Sequence, residues 1–175
     1  MTKYEATPPR GNELEGLASD IVYEFVMLQN TTSWCIEARR LRDRASGVTK
    51  AELSMRADAY LESALTHARN LAHFFSCNLA LAEAGDRDGD DVFAVDYVSD
   101  WKPKGRDLEV LRSTVRSVNK RVHHITAFRQ RVPKADDAGD MITIVDAAKS
   151  VWARFTKALP PDRQGWFRVP VGPKQ

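Results

Sequence analysis

The stretch Thr49–Phe75, TKAELSMRADAYLESALTHARNLAHFF, decides the fold class. Leu53, Ala57, Leu61, Ala64, Ala68, Leu71 and Phe75 recur at steps of three and four residues. That is the period of one face of an α-helix, not the alternation of a strand. Thr49 and Glu52 have the spacing of a capping box, in which the hydroxyl accepts from a first-turn amide and the carboxylate reaches back. Gly85 marks the expected far end. Alanines at 57, 64 and 68 leave room for a second helix to approach closely.

The same period extends outward on both sides. Upstream, Leu14, Leu17, Ile21, Phe25 and Leu28 predict a helix from about residue 12, after Pro8-Pro9-Arg10-Gly11. Asn30-Thr31-Thr32-Ser33 interrupts it with side chains that compete for backbone hydrogen bonds, so one kinked helix and two shorter ones are both open. Downstream, Leu108, Leu111, Val115, Val118, Val122 and Ile125 predict a helix over 107–126. Met141, Ile144, Val145, Ala148, Val151, Trp152 and Phe155 predict another over 138–159, stopped by Pro160-Pro161. Residues 85–106 form the longest non-helical segment, yet Val92, Phe93, Val95, Tyr97, Val98 and Trp101 predict that it packs on the helices. Long amphipathic helices with short connections predict an all-α chain, an antiparallel bundle of four to five helices. The expected organisation is a flexible N-terminus over 1–11, a single helical domain over 12–159 and an irregular tail over 160–175. In that tail, Trp166 and Phe167 either pack back or meet a partner.

Composition narrows the class. A chain of 175 residues fits one domain. No apolar run approaches the roughly 18 residues of a membrane span, and the start MTKYEATPPRGNELEG lacks the apolar region of a secretory signal. A soluble, cytoplasmic protein is expected, making no contact with membranes. Cys35 and Cys77 sit in apolar helical patterns and are read as buried thiols, without a disulfide or zinc site. Asp86-x-Asp88-x-Asp90 lacks the sixth-position glycine of a calcium loop and has Tyr97 at the twelfth, so it is read as a solvated acidic turn. No metal and no cofactor are expected. The tryptophans at 34, 101, 152 and 166 are assigned to core or interface.

Net charge is only +2, but it is unevenly distributed. Between Lys102 and Lys134 there are ten Lys or Arg and two acids, Asp107 and Glu109. A locally basic helix on a near-neutral chain points to a polyanion, or simply to a solvated face. On the 107–126 helix, Arg112, Arg116, Asn119 and His123 follow at steps of four, three and four, as a stripe beside the apolar one. Lys120 and His124 lie on its more exposed side. Histidine exchanges protons near neutral pH, arginine braces a phosphate, and asparagine orients either group. RNA supplies its own nucleophile, the 2′-hydroxyl, so its cleavage needs no metal. The alternative is that Arg116 forms surface ion pairs and the histidines sit at a helix end. Arg69 and His73, four residues apart on the Thr49–Phe75 helix, either face the same cleft or, respectively, pair with a carboxylate and cover the core edge.

The segment 111–126, LRSTVRSVNKRVHHIT, resembles the late helix of HEPN-like bacterial proteins, the higher-eukaryote and prokaryote nucleotide-binding helical domain. Leu65–Phe75, LTHARNLAHFF, and the segment from Val92 to Trp101 are similar to an uncharacterised branch of that family. The resemblance covers residues 60–130. It implies a HEPN-like helical bundle that homodimerises and, in its ribonuclease members, an arginine followed after four to six residues by a histidine. Arg116 and His123 match with six intervening residues; a branch-like register through Asn119 and Lys120 makes His124 the family histidine instead. The implied function is a metal-independent RNA endonuclease of the defence or toxin type, with Arg116, Asn119 and His123 or His124 as catalytic residues. Arg69, Arg112, Lys120 and Arg121 are the expected nucleic-acid-binding residues. The other implied function is a non-catalytic module for a nucleotide, nucleic acid or protein. Expected partners are a second copy, RNA or a nucleotide, and an antitoxin or other protein.

Overall fold

The computed structural model describes residues 11–76, 91–102, 104–113 and 140–169 in full, and the backbone of 114–118 and 137–139. All regular structure among these residues is helical, without a strand. The elements are α1 (Gly11–Arg42), α2 (Gly47–Ser76), a single turn α3 (Ala94–Tyr97), α4 (Arg106–Val118), α5 (Asp137–Ala158) and a 3₁₀ turn (Gln164–Phe167).

The possible break in α1 does not occur. Thr31 Oγ1 donates to the Met27 carbonyl at 2.6 Å and Ser33 Oγ to the Gln29 carbonyl at 3.0 Å. Both hydroxyls bond back to the fourth residue before them, so the competition is resolved inside the helix, which runs unbroken for 32 residues. The start of α2 also differs from expectation, falling two residues ahead of Thr49. Gly47 takes φ +56, a left-handed conformation that glycine adopts without strain, and the Lys50 amide bonds the Ser46 carbonyl. The expected end of α2 at Gly85 and the acidic turn Asp86–Asp90 lie outside the described residues, as does Cys77. So does the expected course of α4 beyond Val118.

α1 and α2 pack as an antiparallel hairpin. Glu24 meets His67, Trp34 meets Tyr60 and Cys35 meets Ala57, so α2 runs back as α1 advances. Ala57, Ala64 and Ala68 are buried along this seam, where small side chains allow close backbone approach. In α5 every residue of the expected apolar stripe, from Met141 to Phe155, is buried. Leu108 and Leu111 of α4 are fully buried. No described helix is long and apolar enough to cross a membrane.

Phe93, Val95, Tyr97, Val98 and Trp101 are buried as the apolar segment predicts, with α3 as its one helical turn. The core converges on Phe155, whose ring has Phe74, Phe75, Tyr97, Trp101, Trp152 and Phe167 within 6.3 Å between centroids. The tail is thus not irregular throughout: residues 164–167 fold back to insert Phe167 into this cluster. Tyr97 OH donates to the Leu14 carbonyl at 2.9 Å, tying α3 to the start of α1. Burial pushes its phenol well above the ordinary tyrosine range.

Candidate functional site

An open cleft of about 1000 Å³ lies where α1, α2 and α4 meet. α1 contributes Leu17, Asp20, Ile21 and Glu24, a three- and four-residue spacing that runs along one edge of its buried stripe. From α2 come Arg69, Asn70, His73 and Ser76, again along one flank. Asp91 and Val92, ahead of α3, and Arg112 of α4 complete the lining. Leu71 and Phe74, both core residues, form apolar parts of the wall.

Arg112 is held by three acceptors. Its Nη1 donates to Glu109 at 2.7 Å, its Nε to the Ser76 hydroxyl at 3.2 Å and its Nη2 to the Ser76 carbonyl at 3.3 Å. The Phe75 carbonyl accepts from Trp101 Nε1 at 2.9 Å. Carbonyls at the end of α2's described span therefore accept from side chains arriving from later in the chain. The Arg112 side chain is one-third exposed, which keeps one edge of it open to the cleft.

Acidic residues share the lining: Asp20 and Glu24 are one turn apart on α1, and Asp91 lies ahead of α3. Glu24 Oε2 lies 2.6 Å from His67 Nδ1, both side chains being largely buried, so the ring donates from Nδ1 to the carboxylate. The Tyr23 ring meets His67 edge-on at 5.8 Å. His73 is exposed at the rim and lies over Phe93 at 5.2 Å, covering the core edge while also bordering the cleft.

Of the residues expected to bind nucleic acid, Arg69 and Arg112 border this one cleft, with His73 beside them. Arg116 belongs to α4, one helical turn after Arg112, and its side chain lies outside the described residues. Asn119, Lys120, Arg121, His123 and His124 also lie outside them. Asp20, Glu24 and His67 are not among the residues expected from the sequence to be functional. The four-residue spacing of Asp20 and Glu24 was visible, but the Glu24–His67 contact joins residues 43 apart and depends on the hairpin register. Among the described residues, no cluster of three or more His, Cys, Asp or Glu is arranged to hold a metal ion. No family model matches the chain, and no curated protein or solved structure matches it significantly.

Proposed function

We propose that the helices form a HEPN-like antiparallel bundle of four to five helices that works as a homodimer on RNA, and that it cleaves the strand without a metal. The observation that carries this reading is the cleft bordered by Arg69 and His73 of α2 and by Arg112 of α4, the helix that reaches Arg116 one turn later. In the proposed reaction, His123 or His124 takes the proton of a 2′-hydroxyl. That oxygen attacks the adjacent phosphorus and the bond to the 5′-oxygen breaks, with a proton returned to the leaving oxygen. Arg116 stabilises the charge that develops on the phosphoryl oxygens and Asn119 orients the groups. Arg69, Arg112, Lys120 and Arg121 hold the strand.

The test is an RNA cleavage assay in excess chelator. Wild type cleaves, and the triple variant Arg116→Ala/His123→Ala/His124→Ala is slower by at least about a hundredfold. Intact RNA with wild type, or equal cleavage by both proteins, refutes catalysis.

The second reading is a non-catalytic module that binds a nucleotide, nucleic acid or protein such as an antitoxin. It is favoured by one observation: three carboxylates share the cleft lining with the two arginines, and Arg112 is bonded within the fold. This reading expects salt-sensitive binding of RNA or nucleotide without turnover.

A further inference from the structure

We propose that a second copy of the chain docks on the side of the α1–α2 hairpin turned away from α5, with the two hairpins antiparallel about a twofold axis level with Thr32. The inference names the surface of the homodimer in the reading above and rests on that part of it.

Tyr23, Trp34 and Leu41 are the large apolar side chains that α1 leaves in solvent, at 55%, 46% and 41% exposure. At about 100° per residue they fall within about 20° of one another, with the half-buried Met27 beside them. Trp34 follows Phe25 by nine residues, half a turn round the helix. The stripe therefore faces away from the stacked Phe25 and Trp152 rings that join α1 to α5. It continues onto α2, because the Trp34 ring meets Tyr60 at 5.6 Å and the Tyr23 ring meets His67 at 5.8 Å. Among the described residues α1 packs on α2, α5 and the 3₁₀ turn, and the stripe stays open to solvent. A contiguous exposed apolar patch marks an interaction surface, and tryptophan, tyrosine and methionine are the residue types that anchor protein–protein contacts.

Charge identifies the occupant and sets its direction. Residues 37–50, at the tip of the hairpin, hold five Arg or Lys against two acids, Glu37 and Asp43. Arg40 and Arg42 bond those acids, and Arg44 and Lys50 are exposed. The other end of the stripe adjoins Asp20 and Glu24 on α1. A polyanion matches only the tip, whereas a second copy matches both ends. Two hairpins laid parallel would bring their basic tips together, and the tips would repel. Laid antiparallel with the stripes fully overlapped, Tyr23 opposes the partner's Leu41, and each basic tip reaches the acidic end of the other copy. From Asp20 to Arg44 the hairpin is about 36 Å long and about 20 Å wide. That footprint, about 700 Å² per copy, is of the order of the ~800 Å² per partner that a specific interface buries. Twofold pairing closes on itself, so assembly stops at two copies.

The experiment is sedimentation equilibrium of the full chain. Wild type should sediment as a dimer at micromolar concentration. Trp34→Glu should raise the dissociation constant at least about thirtyfold, as loss of a central aromatic anchor does. Leu41→Glu, nearer the edge, should raise it about tenfold, and it keeps the test alive if loss of the Trp34–Tyr60 contact unfolds the first variant. Ile142→Glu, a half-exposed position on α5, should leave it unchanged. Arg44→Glu should weaken the dimer, and adding Asp20→Arg in the same chain should regain affinity. In a Cys77→Ser background, a mixture of Tyr23→Cys and Leu41→Cys chains should form a disulfide-linked dimer that neither forms alone. Cross-linking of either variant with itself overturns the antiparallel arrangement. Dimers of wild-type strength in both Trp34→Glu and Leu41→Glu overturn this surface and leave the homodimer reading standing. A monomeric wild type overturns both, and if Trp34→Glu then weakens binding of an adenylate oligomer, the face belongs to RNA instead.

Discussion

Replacing Phe155 by alanine tests the core where it joins the most elements. The side chain is fully buried and its ring is in contact with rings from α2, from the segment carrying α3, from α5 itself and from the 3₁₀ turn. Truncating a buried phenylalanine costs about 3–5 kcal/mol through lost transfer free energy and the cavity left behind. Phe155 should fall at the upper end. Its edge-on neighbours, at 5.0 Å for Phe167 and 5.3 Å for Phe74, lose ring contacts worth about 0.5–1.5 kcal/mol each beyond area. These losses overlap and do not add in full, so about 4–5 kcal/mol is the expectation. In a chain of this size each kcal/mol lowers the melting temperature by about 2–4 °C, giving a drop of roughly 10–15 °C. Circular dichroism melts read the drop directly. Met55→Ala serves as the control, since Met55 is 72% exposed and should move stability by under about 0.5 kcal/mol. If Phe155→Ala melts within a few degrees of Met55→Ala, the convergence of the described helices on this ring is refuted.

Tyr97 predicts an alkaline limb of stability. Its phenol stays neutral in the fold while the unfolded chain ionises near pH 10, so its contribution is complete below about pH 10 and lost as pH rises above it. Tyr97→Phe should flatten that loss in urea midpoints compared at about pH 8 and about pH 11, and cost about 1 kcal/mol at the lower pH through loss of the hydrogen bond to the Leu14 carbonyl. Gly105 has φ +109, and a Cβ there would come 3.1 Å from Arg154 Nη1, which donates to the Lys104 carbonyl. Gly105→Ala should therefore cost about 1–3 kcal/mol, whereas Gly16→Ala, inside α1 with open space around it, should stabilise by about 0.5–1 kcal/mol; thermal melts separate the two signs. Arg112→Met should lower stability by about 1 kcal/mol through loss of the bonds to Ser76 and Glu109, and should weaken RNA binding in a fluorescence titration. A stability loss with unchanged affinity would assign Arg112 to holding α2 alone.

The parts of the fold that follow from local period were legible in the sequence. α5 is the clearest case, with all seven expected apolar positions buried and ends within a residue of expectation. Its pattern is set by chain neighbours and needs no knowledge of partners. The continuity of α1 was not legible, because a threonine hydroxyl can bond a carbonyl four residues back or divert the chain, and both leave the same residues in sequence. The return of Phe167 to the Phe155 cluster does not follow from the sequence for a related reason. An aromatic residue in a proline-flanked tail is equally suited to a core or a partner, and only the position of the receiving rings decides. Arg69 and Arg112 were visible as basic residues on the flanks of two different helices, but their sharing one cleft with Asp20 and Glu24 was not. That arrangement exists only once the hairpin fixes which turn of α1 lies against which turn of α2.

The hairpin register is therefore what makes a cleft from otherwise ordinary surface residues. Each polar lining residue on the two long helices lies beside a core residue in the chain: Asp20 before Ile21, Glu24 before Phe25, Arg69 after Ala68, Asn70 before Leu71, His73 before Phe74, Ser76 after Phe75. The apolar neighbours fix backbone position through packing that tolerates little displacement, and the polar side chains inherit it. The alanine seam sets the approach of α1 to α2, and the Glu24–His67 bond, formed at its edge, is possible only at that register. A slide of one turn would move α2 by about 5.4 Å and leave Glu24 and His67 as two buried polar groups without each other, at a cost of about 1–3 kcal/mol each. The same contact thus penalises misregister during folding.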